Sequence, residues 1–406
     1  MIVFKNAVLR DHAHTTDERF TVVVDGDLIQ QVAAGPLDIP GAEVIDLAGK
    51  TLMPGMVDCH VHTIASVAHL GLNGRLPNTF AILRAVPILR GMLQRGFTTV
   101  RDAGGADYAM ARAVEDGTIA GPRLFVAGKA LSQTGGHGDF RERFDATDPD
   151  PCGCNRNMGA IGRIVDGVDA CRKAVREEMR AGASQIKIMA SGGVASPTDP
   201  IGHMQFSIDE VRAIVEEAAN HQTYVMAHAY TPKAIKRVVE LGVRTIEHGN
   251  LVDDAAAEAM ARHGAFAVPT LVTYDAMGRV GAANGIPADS LVKNEAVRTQ
   301  GLEALKLLQR HGVKMGLGTD LLGDMHEFQA DELSLRAGIL GAYETLCQAT
   351  VIGADIVGMK DKLGVLQAGA FADLLVVEGD PLADIAVLTR QRSGIRRVMK
   401  AGAWVS

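Results

Sequence analysis

The sequence predicts an α/β protein, a (β/α)8 TIM barrel with a small β-sandwich domain built from both chain ends. Two observations carry this reading. Eight short apolar runs alternate with amphipathic helical stretches through the middle of the chain, and the two ends share a different texture of short strands and tight turns. A third narrows it: no G-x-G-x-x-G or phosphate loop follows the early strands, so a nucleotide-binding sheet has no anchor.

In chain order, residues 2–9, 20–24, 28–33 and 43–47 read as strands, with Asp25-Gly26-Asp27 turning a hairpin. Residues 372–377 and 395–401 repeat that texture around the turn Glu378-Gly379-Asp380-Pro381. Neither end holds enough strands for a stable β module, so residues 1–54 and 360–406 are expected to pack as one composite sandwich. Residues 55–359 then form the barrel, with strands expected at 56–62, 98–102, 123–127, 185–190, 224–229, 244–248, 266–271 and 314–319. Helix punctuation agrees. Ser207-Ile208-Asp209-Glu210 is a capping box opening a helix over 211–220. Thr231-Pro232 supplies an N-cap with proline at the first helical position, and Gly242 closes that helix.

At 406 residues, 47% apolar and 22% charged, the chain can bury a large core beside a smaller one. A formal charge of −7 argues against nucleic acid as a partner. Five cysteines, an odd number, do not make a disulfide framework, and Cys152 and Cys154 read as loop thiols. The first residues lack the basic-then-apolar pattern of a signal peptide, and no apolar run is long enough to span a membrane, so a cytoplasmic location is expected. The expected partner is a small-molecule substrate, with the protein a homo-oligomer.

Chemistry in a barrel sits at the C-terminal ends of the strands. The first run ends in His60-Val61-His62, whose imidazoles project from one face and suit two ligands on one metal ion. The fourth carries Lys187 in an otherwise apolar strand, where an unpaired ammonium is expensive. Snorkelling to the rim would relieve it, and so would carboxylation by carbon dioxide to a carbamate able to bridge two ions. The fifth ends in His228-Ala229-Tyr230, the sixth in His248, and the eighth in Gly316-Leu317-Gly318-Thr319-Asp320. Each residue alone has an ordinary reading as a core, rim or capping group. Four histidines, a lysine and an aspartate at the ends of five strands point together to a metal centre, and N/O donors without thiolate favour zinc or a similar divalent ion.

These residues resemble the binuclear amidohydrolase superfamily. The resemblance spans nearly the whole chain, including the approach Pro54-Gly55-Met56-Val57-Asp58 and the tail motif Leu363-Gly364-Val365-Leu366-Gln367-Ala368-Gly369. Thr134-Gly135-Gly136-His137-Gly138-Asp139, His228-Ala229-Tyr230 and Gly318-Thr319-Asp320 are similar to the metal-dependent prolidase and Xaa-carboxypeptidase group, to ochratoxin-hydrolysing amidohydrolases and, more distantly, to imidazolonepropionases. The resemblance implies that His60, His62 and Asp320 bind a buried ion, that His228 and His248 bind a more exposed one, and that carboxylated Lys187 bridges the two. It implies two divalent ions, zinc by expectation, and a bridging hydroxide as nucleophile. Asp320 would take the proton from that hydroxide and pass it to the leaving amine. His137 and Tyr230 would hydrogen-bond the oxyanion or the substrate carboxylate; for Tyr230, rim packing is the competing reading.

The expected activity is hydrolysis of a C–N bond in a dipeptide or N-acyl amino acid, releasing a free amino acid. A cyclic amide is the main alternative. A mononuclear deaminase would not need Lys187, and a scaffold protein would have lost ligands. Among remaining residues, His203 reads as a solvated loop histidine and His326 as the weaker candidate for shaping the substrate site. His12 and His14 sit in a turn-rich surface stretch, and Arg101-Asp102 reads as a structural ion pair. Residues 138–160 are too long and polar for a simple βα connection and read as a lid or specificity loop.

Overall fold

A computed structural model describes residues 1–141, 157–196, 199–390 and 393–405. Cys152, Cys154 and most of the expected lid at 138–160 lie outside the described residues. The strands are, in order, β1 (Ile2–Leu9), β2 (Arg19–Asp25), β3 (Leu28–Ala34), β4 (Glu43–Asp46), β5 (Thr51–Pro54), β6 (Met56–Val61), β7 (Phe97–Asp102), β8 (Arg123–Val126), β9 (Ala130–Ser132), β10 (Gly162–Ile164), β11 (Ile186–Met189), β12 (Val225–Ala229), β13 (Thr245–His248), β14 (Phe266–Val268), β15 (Leu374–Val377), β16 (Ile395–Lys400) and β17 (Ala403–Trp404).

Both chain ends contribute to one mixed sheet, ordered β17-β16-β15-β5-β1-β2-β3 with β4 beside β1. The pairing joins the strands of the two chain ends edge to edge in this one sheet. The reason is β5, which pairs antiparallel with β15 and parallel with β1 and so stitches the two ends together. β1 and β3 mix buried residues, Val3, Phe4, Ala7, Leu9 and Ile29, with exposed ones, Asn6, Gln30, Gln31 and Ala34.

The middle of the chain forms two parallel sheets, β6-β7-β8 and β10-β9-β11-β12-β13-β14. β6, β7, β11, β12, β13 and β14 are buried along their whole length, so the polar residues they carry, among them Asp58, His60, Arg101, Lys187, His228, Glu247 and His248, are buried with them. Ser184 N donates to Val126 O across 2.7 Å, connecting β11 to β8.

Residues 314–319 do not form the expected eighth strand. Only one bridge is present there, Ala267 with Met315. Leu317 N turns away to Gln348 O, which breaks the ladder, while Cys59 N, Thr319 N and Asp320 N bond along β6. Glycine permits this close passage: a Cβ on Gly316 would stand 2.4 Å from Ile356 Cδ1, and one on Gly318 would stand 2.6 Å from Val268 Cγ1 and 3.0 Å from His60 Cβ. The seventh run also ends early, because the helix Leu271–Val280 begins within it. The capping box at Ser207 and Glu210 is formed, with its helix at Ile208–Asn220. No helix among the described residues is long and apolar enough to cross a membrane.

Candidate metal centre

His60 and His62 leave the end of β6 side by side, with ring centroids 5.4 Å apart. Each is oriented by its Nδ1. His60 Nδ1 meets Glu247 Oε2 at 2.7 Å, and His62 Nδ1 meets Gly104 O at 2.8 Å. Both Nε2 atoms then face Asp320, whose Oδ1 lies 3.4 Å from His60 Nε2 and 3.2 Å from His62 Nε2. His60 Nε2 is buried and makes no hydrogen bond. Asp320 is delivered by the glycine-rich passage of 316–319: its N donates to His60 O at 2.8 Å, and its backbone sits at φ 52°. The donor atoms of His60, His62 and Asp320 lie within 4.8 Å of one another.

The remaining residues arrive on adjacent parallel strands. β11 and β12 put Met189 opposite His228, and β12 and β13 put Ala229 opposite His248. The His248 ring lies 4.9 Å from that of His60 and 4.7 Å from that of His228. His248 Nδ1 is held by Thr270 Oγ1 at 2.8 Å, and His228 Nε2 by Gly192 O at 3.1 Å. His248, like Asp320, has positive φ, at 70°. Two non-glycine residues in this region at one centre mark backbone strain concentrated where side chains converge. Lys187, one-hundredth exposed, has no hydrogen bond or ion pair of its ammonium among the described residues.

Electrostatics favours the ligand forms of His228, His248 and Asp320, while at His62 burial is outweighed by Asp320, which raises the pKa. Burial first, and then His137, His248 and Lys187, hold the His228 pKa well below the usual imidazole range; burial does the same to His248 against the pull of Asp320. Burial opposes ionisation of Asp320, yet His60, His62 and His248 hold its carboxyl well below the usual range. Burial pulls the Lys187 amine down to about 8, against Glu247 and Asp320. Neutral imidazoles and an ionised carboxylate are the forms that bind metal. An imidazole nitrogen buried without a partner, facing a second imidazole and a carboxylate, is a donor set that a divalent cation would complete.

Arg101 does form a buried ion pair, with Glu247 and not with Asp102. Its Nη2 reaches Oε1 at 2.9 Å and Oε2 at 3.0 Å. Burial opposes ionisation of Glu247, but Arg101 brings its pKa to about 2. Asp102 instead accepts from Thr63 N, Thr63 Oγ1 and Gly104 N, fixing the turn that supplies the His62 acceptor. Arg101→Met would leave Glu247 buried and uncompensated. It should lower stability by about 3–5 kcal/mol, read from the urea midpoint.

His137 and Tyr230 line the same cleft as the six candidate ligands, around a cavity of ≈ 30 Å³. The His137 ring stacks on His228 at 4.1 Å, and its Nδ1 meets Ser196 Oγ at 2.7 Å and Asp199 Oδ2 at 3.4 Å. Gly193 is required beside it, since a Cβ there would stand 2.1 Å from His137 Cε1. The Tyr230 hydroxyl lies 2.7 Å from that of Tyr274. His203 is exposed, and His326 is buried on Ala65 O in a separate cavity beside Arg84 and Arg95. Sequence reading missed Glu247, Thr270, Ser196, Asp199 and Tyr274. Glu247 had a signal: opposite charges at 101 and 247 in two apolar runs must pair if both are buried. The others had none.

Fold and site define an α/β protein with a centre of nitrogen and oxygen donors at the C-terminal ends of its parallel strands. The chain belongs to the amidohydrolase family, whose model matches residues 51–405. Ochratoxinase from Aspergillus niger is 32% identical over 363 residues, covering 86% of this chain and 75% of that protein. Among solved structures, a prolidase complexed with N-methylphosphonate-L-proline matches with TM-score 0.97 and 54% identity, over 100% of this chain and 99% of the other. A Xaa-Pro dipeptidase with bound methionine matches with TM-score 0.87 and 29% identity, over 100% of this chain and 99% of the other.

Proposed function

We propose that this protein is a metal-dependent amidohydrolase that cleaves the amide bond of a dipeptide or N-acyl amino acid and releases the free amino acid. The observation that carries the proposal is the convergence of His60, His62, Lys187, His228, His248 and Asp320, with His137 and Tyr230, on one cleft. The prolidase, dipeptidase and ochratoxinase likenesses support the amide as the bond cleaved.

The parallel strands are read as one (β/α)8 barrel, a reading supported by the Ser184–Val126 bond between the β11 and β8 segments and by the bonds of residues 314–320 to Ala267 and to β6. That barrel spans 55–359, and residues 1–54 with 360–406 form the second unit. His60, His62 and Asp320 would hold one divalent ion, His228 and His248 another, with Lys187 as a carbamate between them. Zinc bound there would supply Lewis acidity and a lowered water pKa. Asp320 accepts the proton of the attacking water and returns it to the leaving amine. Tyr230 donates to the carbonyl oxygen as charge develops on it, and His137 meets the substrate carboxylate. The proposal extends to a homo-oligomer in the cytoplasm that acts on small molecules.

The test is a screen of Xaa-Pro and other dipeptides and N-acyl amino acids on zinc-loaded protein, with free amino acid as the readout. No release from any member of the panel would overturn the proposal. Chelation should remove activity and zinc should restore it. Elemental analysis should find about two ions per chain, where a deaminase on this fold would hold one and a scaffold none.

A further inference from the structure

Outside the metal cleft, a cavity of ≈ 300 Å³ brings together charged groups that the proposed chemistry does not use. Its volume is within the range of small-ligand sites, and Arg84, Arg95, Asp324, His326 and Glu327 line it. The segments that carry His62 and Asp320 continue into its wall through Ser66 and Gly323.

Arg95 is nine-tenths buried and forms no ion pair among the described residues. Its Nε donates to Gln329 Oε1 at 3.1 Å, and Gln329 Nε2 donates to Asp58 Oδ2 at 2.9 Å. The direction is fixed, because a guanidinium only donates, which leaves the Gln329 amide N–H for Asp58. These bonds hold the Arg95 head group in place, and its Nη2 is left buried with no partner. Space is kept for it: a Cβ on Gly91, inside the helix Asn78–Gln94, would stand 3.0 Å from Arg95 Nη1. Burial pulls the Arg95 pKa down to about 10, against the attraction of Asp58 and Glu327. A buried cation with unmet N–H groups is costly until an anion meets them.

The other charges of the cavity are also unmatched. Arg84 gives an N–H to Ser66 O at 2.9 Å and none to a carboxylate among the described residues. Asp324 and Glu327 are exposed and make no ion pair among the described residues. His326, bonded to Ala65 O at 3.2 Å, is pushed down to about 3 by burial, so it stays neutral and adds no charge. A small molecule carrying both charges satisfies both sets. A carboxylate accepts paired N–H groups from a guanidinium, and a compact ammonium suits the two exposed carboxylates.

We propose that this cavity is a second binding site, for a free α-amino acid, with its carboxylate on Arg95 and Arg84 and its ammonium toward Asp324 and Glu327. That the ligand is also the released product rests on the amidohydrolase reading; the site itself rests on the cavity alone.

The test is local to the cavity, so occupancy of the metal cleft does not enter. Zinc-loaded protein is treated with phenylglyoxal, which modifies guanidinium groups, and modification of the partly exposed Arg84 is followed by peptide mass spectrometry. Saturating L-proline should slow that modification severalfold. Cyclopentanecarboxylate, which lacks the ammonium, and pyrrolidine, which lacks the carboxylate, should each bind about tenfold more weakly by the same readout. The paired substitution Asp324→Asn, Glu327→Gln should weaken protection by proline about tenfold and leave protection by cyclopentanecarboxylate undiminished. Both side chains are exposed, so the fold should be retained. No protection by proline, equal protection by the three compounds, or a paired variant that discriminates among them as the wild type does would each overturn the proposal. Protection of Arg84 by proline in a protein inactive on the whole amide panel would support the site and remove only its link to the product.

Discussion

Asp320→Asn should lower kcat by about 10³–10⁴-fold, at the upper end of what general acid–base catalysis contributes, while leaving the fold intact. The fold should survive because the substitution keeps the volume and because asparagine tolerates the left-handed backbone that Asp320 adopts at φ 52°. The bond from the residue 320 amide to His60 O involves backbone alone and persists. What is lost is the carboxylate that lies 3.2 Å from His62 Nε2 and 3.4 Å from His60 Nε2, both as a donor to a cation and as a proton acceptor. Metal content separates these roles. A variant that keeps wild-type metal and loses turnover assigns proton transfer to Asp320, whereas one that keeps normal turnover removes that assignment.

The strands that were legible in the sequence are those buried on both faces. β6, β12 and β13 are buried throughout, so each run could be read together with the histidines at its end. The same logic failed at 314–319, where two glycines and the Leu317–Gln348 bond replace a ladder that periodicity alone would imply. β9 and β10, three residues each, are too short for any period to register. At the chain ends, strand character was legible but partnership was not: whether β5 joins two sheets or one depends on pairing 320 residues apart, which no local pattern encodes. The site divides in the same way. Ligand-type residues at strand ends were visible, but the groups that orient them, Glu247, Thr270 and the Gly104 carbonyl, are chosen by tertiary contact.

Lys187→Met should stabilise the metal-free protein and at the same time remove nearly all activity. Lysine in water titrates near 10.5, and in β11 burial brings it to about 8, so below that pH the folded state carries an ammonium that the unfolded chain solvates better. A fall of that size corresponds to a cost of about 3 kcal/mol, fully present below pH 8 and relieved as pH rises toward 10.5. Methionine fills a similar volume without the charge, so the urea midpoint at pH 7 should rise. The cost makes sense as the condition for a reaction. Only the neutral amine adds carbon dioxide, forming an N–C bond and releasing one proton, and at pH 7.5 an amine with a pKa of about 8 is neutral in roughly a quarter of molecules, against about one in a thousand for a solvated lysine. The carbamate exchanges an unpaired buried cation for an anion facing His228, His248 and the cation they would share. Zinc loading in carbon dioxide-free buffer should therefore give little activity, and added bicarbonate should restore it in the wild type but not in Lys187→Met. Equal activity with and without bicarbonate, together with an active Lys187→Met enzyme, would leave the lysine as a tolerated core residue and its burial without a chemical purpose.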